Sequence, residues 1–204
     1  MSPIESIMRT SPVIPVLVMN DVAQARPVAE ALVAGGLKVL EVTLRTPSAL
    51  EIIAEMAKVP GAIVGAGTVL NTRDLDAALK AGSKFIVSPG LTDPLARAAI
   101  AADVAFLPGI ANAADIMRGL DLGLSRFKFF PAEAAGGIKA LSALAAPFHA
   151  CRFCPTGGIS EATATDWLAL ESVLCVGGSW LVAKGAPDLA AITSAAKRAA
   201  AFLQ

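Results

Sequence analysis

The stretch Arg126-Phe-Lys-Phe-Phe-Pro-Ala-Glu133 predicts a short strand that is rich in aromatic residues and ended by a proline. Side chains alternate along a strand, so Phe127 and Phe129 face one way while Lys128 and Phe130 face the other. Neither face looks polar. The ammonium group of Lys128 is therefore expected to lie among apolar groups.

On both sides of this strand, short apolar strands alternate with helices. The predicted strands are 13–19, 39–44, 63–66, 85–87, 104–107, 127–130, 152–154 and 173–176, and among the predicted helices are 3–8, 49–58, 73–81, 138–145 and 188–202. Eight strand–helix units follow one another at roughly 20 to 26 residues, with no linker between them. They predict a parallel α/β fold closed into a (β/α)₈ TIM barrel, one domain over residues 1–204 with a short N-terminal helix.

An open doubly wound sheet is the alternative fold, but the first strand is followed by Val18-Met-Asn-Asp21 rather than a glycine-rich phosphate-binding fingerprint. Polar residues are predicted to cap several helices. Thr46 precedes a proline at the first helical position, Thr72 precedes the helix of the third unit, 73–81, and Ser160 precedes a helix through residue 170.

Composition excludes several classes of protein. The 204 residues carry 17 Lys+Arg and 17 Asp+Glu, a formal net charge of zero, and there is no basic run, so no nucleic-acid partner is expected. No apolar segment approaches the roughly 20 residues that cross a bilayer, so no membrane partner is expected. Glu5 and Arg9 precede only a short apolar run, which does not fit a signal peptide. Three cysteines, an odd number, fit a reducing cytoplasm.

The Cys151-Arg-Phe-Cys154 segment has His149 upstream and Cys175 beyond it, which raises the question of a zinc site. Positions three apart on a strand point to opposite faces, so Cys151 and Cys154 are not expected to share a metal ion. We predict small apolar strand residues here, and no metal or organic cofactor.

The predicted chemistry begins with Lys128. Burial disfavours the charged form of a lysine, which makes the free amine common enough to attack a ketone and form a Schiff base. The alternative is a lysine at a strand edge, whose stem packs while its head reaches water.

The carboxyl ends of the strands carry the other candidate residues, since barrel enzymes hold their sites there. Glu41, Thr43 and Arg45 are spaced by two and share one face of the second strand. Arg45 is suited to hold a carboxylate and Glu41 to move a proton. The alternative is a mutual salt bridge between Glu41 and Arg45 inside the barrel.

Glycines follow five other strands, and Pro108-Gly109 after the fifth is a possible simple turn. Gly65-Ala-Gly-Thr68 lets a ligand or a neighbouring strand approach the backbone, and Ser88-Pro89-Gly90 forms either a turn or a wall of the site. Paired glycines follow the last two strands, in Pro155-Thr-Gly-Gly-Ile159 and Val176-Gly-Gly-Ser179. Their free N–H groups and the Ser179 hydroxyl predict a phosphate cradle.

A buried lysine, an acid, an arginine and a phosphate cradle together predict a phosphorylated 2-keto acid processed through an imine. The protonated imine withdraws electrons so that the C3–C4 bond breaks, and Glu41 accepts the C4 hydroxyl proton. A metal-dependent aldolase needs a histidine-rich site, whereas the only histidine, His149, lies outside the strand ends.

With these residues in view, the chain closely resembles the class I aldolase family that cleaves 2-keto-3-deoxy-6-phosphogluconate (KDPG) and 4-hydroxy-2-oxoglutarate (KHG). The resemblance covers nearly the whole chain. It is carried by the motifs Val39-Leu-Glu-Val-Thr-Leu-Arg-Thr46, Gly65-Ala-Gly-Thr-Val-Leu70, Ser88-Pro-Gly-Leu-Thr92, Phe127-Lys-Phe-Phe-Pro-Ala-Glu133, Phe153-Cys-Pro-Thr-Gly-Gly-Ile159 and Gly177-Gly-Ser-Trp-Leu181.

The resemblance implies that Lys128 forms the Schiff base and that Glu41 is the general acid and base. The substrate-binding residues it implies are Arg45, Thr68, Pro89, Phe130, Thr156, Gly157, Gly158, Gly178 and Ser179. It also implies a cytoplasmic homotrimer of the Entner–Doudoroff pathway that needs no cofactor.

Two alternatives stay open: an aldolase for the galactonate epimer, and a barrel that binds or isomerises a sugar phosphate without an imine. Arg126 is expected to pair with an acid at the lower end of the barrel.

Overall fold

The computed structural model describes residues 1–183 and 185–202; Lys184, Leu203 and Gln204, which the predicted single domain includes, lie outside the described residues. The helices are α1 Pro3–Met8, α2 Ala25–Ala34, α3 Ala49–Met56, α4 Thr72–Lys80, α5 Asp93–Ala101, α6 Ala113–Asp121, α7 Gly137–Ala145, α8 Ala164–Leu168 and α9 Leu189–Ala200. The strands are β1 Val13–Leu17, β2 Val39–Thr43, β3 Ile63–Gly67, β4 Phe85–Val87, β5 Ala105–Leu107, β6 Gly109–Ile110, β7 Arg126–Phe129, β8 Arg152–Pro155 and β9 Val176–Gly178.

The fold is α/β, with every ladder parallel as the alternation of strands and helices predicted. One curled sheet has the strand order β5-β4-β3-β2-β1-β9, and a second has the order β6-β7-β8. The first strand therefore pairs with both the second and the last, which is not the order of a doubly wound sheet. The predicted fifth strand, 104–107, contains β5, and only Pro108 separates it from β6, the first strand of the second sheet.

Two apolar layers position the strands. The larger layer lies between the strands and the helices and includes Phe127, Phe129 and Phe153. The smaller one lies on the opposite face of the strands, where Ile4 and Met8 of α1 pack against strand residues. Phe127 and Phe129 share one face, as the alternation along the strand predicted. Among the described residues, no helix has both the length and the hydropathy needed to cross a bilayer.

Three predicted helix caps are wrong. The Thr46 hydroxyl donates to the carbonyl of Met19 at 2.6 Å instead of capping α3. Asn71, not Thr72, caps α4, because its side-chain oxygen accepts the N–H of Asp74 at 2.9 Å. Ser160 does not cap α8, which begins only at Ala164. In each case another polar group nearby competes for the same hydrogen bond or turn.

The predicted last strand, 173–176, is also displaced. Val173 forms only an isolated bridge with Phe153, and the ladder with β1 runs over Val176–Gly178. Gly177 and Gly178 are therefore strand residues rather than loop residues. They are glycines because their neighbours fill the space of a side chain: a Cβ on Gly177 would lie 2.2 Å from Thr156 Oγ1, and one on Gly178 would lie 2.0 Å from the Trp180 ring.

Candidate active site

The central feature of the site is a buried ion pair between β7 and β2. Lys128 Nζ lies 3.0 Å from Glu41 Oε1, and the two side chains are 6% and 4% exposed. The lysine is thus buried, as predicted, and the strand-edge alternative is wrong. Two ionisable side chains so far from water are held there by pairing with each other. Glu41 Oε1 is therefore the oxygen that accepts the hydrogen bond of the Lys128 amine.

A glycine on the neighbouring strand makes room for the carboxylate. Glu41 lies opposite Gly65 in the β2–β3 ladder, and a Cβ on Gly67 would approach Glu41 Oε1 to 2.2 Å. Gly65 leaves space for the ring of Phe85 in the same way, at 2.5 Å. Of the two uses predicted for these glycines, the close approach of a neighbouring strand is the one observed.

Arg45 and Thr68 meet at the adjacent ends of β2 and β3. Arg45 Nε donates to Thr68 Oγ1 at 3.2 Å, while the arginine side chain is exposed. Thr68 has a φ of 59°, a left-handed conformation that is uncommon for a threonine. The alternative salt bridge between Glu41 and Arg45 is wrong, because Glu41 pairs with Lys128 instead.

Thr43, on the same face of β2, has a structural task. Its hydroxyl donates to the carbonyl of Leu17 at 2.9 Å and is buried. This hydrogen bond joins β2 to β1, so the Thr43 hydroxyl stabilises the sheet.

Phe130 lies beside the ion pair, and Pro89 packs on the strand next to β7. The ring of the half-buried Phe130 has its centroid 5.3 Å from Lys128 Nζ, a cation–π distance. The carbonyl of Pro89 would lie 2.1 Å from a Cβ on Gly109, so Pro89 packs closely on β6, the strand beside β7. The Ser88 hydroxyl donates to Gly90 O at 2.7 Å and holds this turn.

The predicted phosphate residues follow adjacent strands. An isolated bridge pairs Thr156 with Gly177, so the loop after β8 lies beside the end of β9. Gly157 and Gly158 have φ values of 106° and 82°, which favour glycine. Ser179 is exposed directly after β9. Thr156 is buried, and its hydroxyl donates to a carbonyl of β8. The structure thus brings the two glycine pairs to one edge of the sheet.

Arg126 pairs with an acid at the opposite end of β7, as predicted. Its guanidinium donates to Glu5 Oε2 of α1 through Nε at 3.0 Å and Nη2 at 2.7 Å. Arg9 donates to the other oxygen of Glu5 at 2.9 Å. These hydrogen bonds, that of Arg126 above all, hold the pKa of Glu5 below its ordinary value.

The three cysteines are free and buried. Burial raises the pKa of the Cys151 thiol, and a hydrogen bond with Cys154, aided by burial, raises that of Cys175 well above its usual value. Within the described residues, no group of three or more His, Cys, Asp or Glu side chains is placed to hold a metal ion.

Sequence reasoning missed Glu133 and Trp167. Trp167, fully buried in α8, donates its indole N–H to Glu133 Oε1 at 3.0 Å. Its ring lies 6.3 Å from that of Phe129, between centroids. The sequence feature that could have indicated this contact is Glu133 itself, an acidic residue directly after the apolar strand of Lys128.

A family model described as KDPG and KHG aldolase matches residues 4–195. The chain belongs to this aldolase family. The 2-dehydro-3-deoxy-phosphogluconate aldolase of Zymomonas mobilis is 62% identical over 202 residues, which are 99% of this chain and 97% of that protein. The KHG/KDPG aldolase of Escherichia coli K12 is 56% identical over 199 residues, which are 96% and 93% of the two chains.

Solved structures of KDPG aldolases agree with this fold. The structure of the Zymomonas mobilis ZM4 enzyme with 3-phosphoglycerate has a TM-score of 0.97 at 62% identity, covering 98% of this chain and 96% of that one. The structure from Legionella pneumophila, with pyruvate captured at low pH as a covalent carbinolamine intermediate, has a TM-score of 0.95 at 40% identity and covers 98% and 99%. The resemblance read from the motifs is therefore confirmed at the level of the family.

Proposed function

We propose that the protein is a class I aldolase that cleaves 2-dehydro-3-deoxy-6-phosphogluconate into pyruvate and glyceraldehyde 3-phosphate. It also cleaves 4-hydroxy-2-oxoglutarate into pyruvate and glyoxylate. The observation that carries this proposal is the buried Lys128, held 3.0 Å from the Glu41 carboxylate beside the exposed Arg45. Imine chemistry on a 2-keto acid requires an amine in contact with a proton acceptor. It also requires a nearby cation that binds the carboxylate of the substrate.

The first half of the reaction forms the imine. Lys128 transfers its extra proton to Glu41, and the free amine attacks the C2 carbonyl of the substrate to give a carbinolamine. Glu41 returns a proton to the C2 hydroxyl, which leaves as water, and a protonated imine remains. Arg45 and Thr68 hold the substrate carboxylate, while Phe130 and Pro89 line the pocket around the imine.

The second half breaks the carbon–carbon bond. Glu41 takes the proton of the C4 hydroxyl, the C3–C4 electrons move to the imine nitrogen, and glyceraldehyde 3-phosphate leaves from an enamine. Glu41 then delivers this proton to C3, and water hydrolyses the imine to release pyruvate and regenerate Lys128. No metal or organic cofactor is needed, because the imine supplies the electron sink.

The phosphate group is assigned to the adjacent ends of β8 and β9. The buried Thr156 packs beneath this site, where it pairs with Gly177. Gly157, Gly158 and Gly178 offer backbone N–H groups and Ser179 offers a hydroxyl, a set of neutral donors that suits an oxyanion. The family relative crystallised with 3-phosphoglycerate supports a phosphorylated ligand.

We further propose that the strands close into a complete (β/α)₈ barrel, as one domain over residues 1–204. Three features support closure: the hydrogen bond from Lys128 N–H to Pro108 O at 2.8 Å, the isolated bridges between β8 and the chain around β9, and the pairing of β9 with β1. From the family resemblance we also propose a homotrimer that acts in the cytoplasm in the Entner–Doudoroff pathway.

Trapping with borohydride tests the reaction type and the nucleophile together. The protein is incubated with pyruvate and sodium borohydride, digested and analysed by mass spectrometry, and we expect a reduced pyruvate adduct on the peptide containing Lys128. A protein without an adduct would instead be a phosphate-binding barrel that uses no imine. Turnover of the gluconate and galactonate epimers, measured side by side by pyruvate release, then separates the two aldolase specificities.

A further inference from the structure

The turn that follows the lysine strand is bonded to the loop assigned to the phosphate. Ala132 N–H donates to Thr156 O at 2.8 Å, and Glu133 N–H donates to Gly157 O at 3.1 Å. Two successive carbonyls of that loop therefore point at the same turn. In an extended strand they would point to opposite sides, and the positive φ of Gly157, 106°, is what aligns them.

These bonds also fix the directions of two N–H groups. A trans peptide is planar, and its C=O and N–H point in opposite directions. Because the carbonyls of Thr156 and Gly157 point to the turn, the N–H groups of Gly157 and Gly158 point away from it. Neither N–H donates to another of the described residues. Successive N–H groups aimed to one side form a concavity that binds anions.

The side chain of Glu133 reinforces this arrangement. A Cβ on Gly158 would lie 2.6 Å from Glu133 Cγ, so the aliphatic part of the glutamate lies directly on the α-carbon of Gly158. The carboxylate continues to the buried Trp167, whose indole N–H donates to Oε1 at 3.0 Å. Glu133 is thus anchored from α8 and bonded through its backbone to the loop that it covers.

We propose that Glu133 is a positioning residue that holds the N–H groups of Gly157 and Gly158 on a phosphate oxygen, so that phosphate affinity depends on a side chain anchored by Trp167. The inference deepens the proposed function and rests on it for the identity of the substrate. The hydrogen-bond directions stand independently of it.

Titration with inorganic phosphate, followed by ³¹P NMR, tests the proposal without catalysis. Charge-assisted hydrogen bonds are sensitive to alignment, so Glu133→Ala is expected to weaken phosphate binding about tenfold or more. Glu133→Gln keeps the aliphatic part and an oxygen that accepts the Trp167 N–H, and it is expected to stay within about threefold of the wild type. The matched control is Glu171→Ala, which removes an exposed glutamate near the opposite end of the sheet. Its phosphate affinity is expected to equal that of the wild type.

A second measurement separates positioning from general damage. We expect kcat/KM of Glu133→Ala to fall for the phosphorylated substrate and to stay within about twofold for 4-hydroxy-2-oxoglutarate, which has no phosphate. Equal losses on both substrates, or phosphate affinity equal to that of the wild type, would overturn the proposal. Borohydride trapping of pyruvate on the wild type tests the proposed function separately, because pyruvate has no phosphate group.

Discussion

Strand β7 carries two basic side chains on one face, the half-buried Arg126 and the buried Lys128, and they are held in different ways. Arg126 uses its guanidinium for hydrogen bonds to Glu5, to Ser125 and to the carbonyl of Ala150. The side-chain amine of Lys128, two residues later, has one hydrogen bond to the described residues, to Glu41, and lies over the ring of Phe130. Arginine stays charged and forms fixed networks, whereas a lysine can lose its proton and become a nucleophile. The comparison indicates that the Arg126 end of the strand stabilises the fold and the Lys128 end is available for chemistry.

Lys128→Arg and Arg126→Lys, the two opposite exchanges on β7, are expected to differ most in their effect on cleavage. Lys128→Arg keeps a positive charge beside Glu41 but has no amine that attacks a ketone, so cleavage is expected to fall about 10⁴-fold or more. The pyruvate–borohydride adduct should be absent from the mass spectrum. Arg126→Lys is the control, and it should keep the adduct and turnover within about threefold.

If Lys128→Arg still forms the adduct, another amine is the nucleophile, and the distinction between the two ends of β7 is wrong. A loss of the adduct in Arg126→Lys would show that the Arg126–Glu5 pair controls the reactivity of Lys128.

The two carboxylates give the next contrast. Glu41→Gln keeps the size of the side chain and a hydrogen-bonding oxygen but cannot accept a proton, so kcat is expected to fall about 10³-fold. Glu5→Gln, at the other end, is expected to leave kcat within about twofold. Steady-state release of pyruvate measures both. Near-normal kcat in Glu41→Gln would assign proton transfer to another group.

The difference between the ends also explains what the sequence predicted and what it did not. The alternation of side chains along a strand predicts that Lys128 and Glu41 face inward. It also predicts that Arg126 pairs with an acid, because a charge on an apolar strand requires a partner. The identity of the partners does not follow, since Glu5 and Glu41 are 121 and 87 residues away from their cations along the chain. Such pairings depend on how the strands and α1 meet in space.

Local competition accounts for the other errors. Thr46 has the sequence features of a helix cap, yet its hydroxyl is used by Met19 of a neighbouring segment. Gly177 and Gly178 looked like a loop, yet they belong to β9 because Thr156 and Trp180 fill the side-chain space. The role of Glu133 was missed because it depends on Trp167, which follows it by 34 residues.

Removing the arginine tests the stabilising role of the lower end. Arg126→Met leaves Glu5 without its main partner, and breaking such a pair is expected to lower the free energy of unfolding by about 3 kcal/mol. Urea denaturation followed by circular dichroism measures this loss. We expect kcat per folded molecule to stay within about threefold of the wild type. A stable variant with a lost kcat would reverse the roles assigned to the two ends of β7.

The smallest expected effect is the acid dependence of stability. Hydrogen bonds, chiefly that of Arg126, hold the pKa of folded Glu5 below its ordinary value of 4.5. As the pH falls below 4.5, the unfolded chain takes up a proton at Glu5 before the folded chain does, so the free energy of unfolding decreases until the pH passes the folded pKa. Above that window the contribution is fully present. Glu5→Gln has no group to titrate there.

Urea denaturation of the wild type and Glu5→Gln at several pH values checks this sign. We expect the stability of Glu5→Gln to be lower near neutral pH and to decrease less steeply in acid than that of the wild type. Glu161→Gln is the matched control, because the pKa of Glu161 is also lowered by an arginine, Arg198, but at an exposed site where solvent weakens the pair. An equal change in both variants would mean that burial adds nothing at Glu5, and the lower end of β7 would then be no more than a surface ion pair.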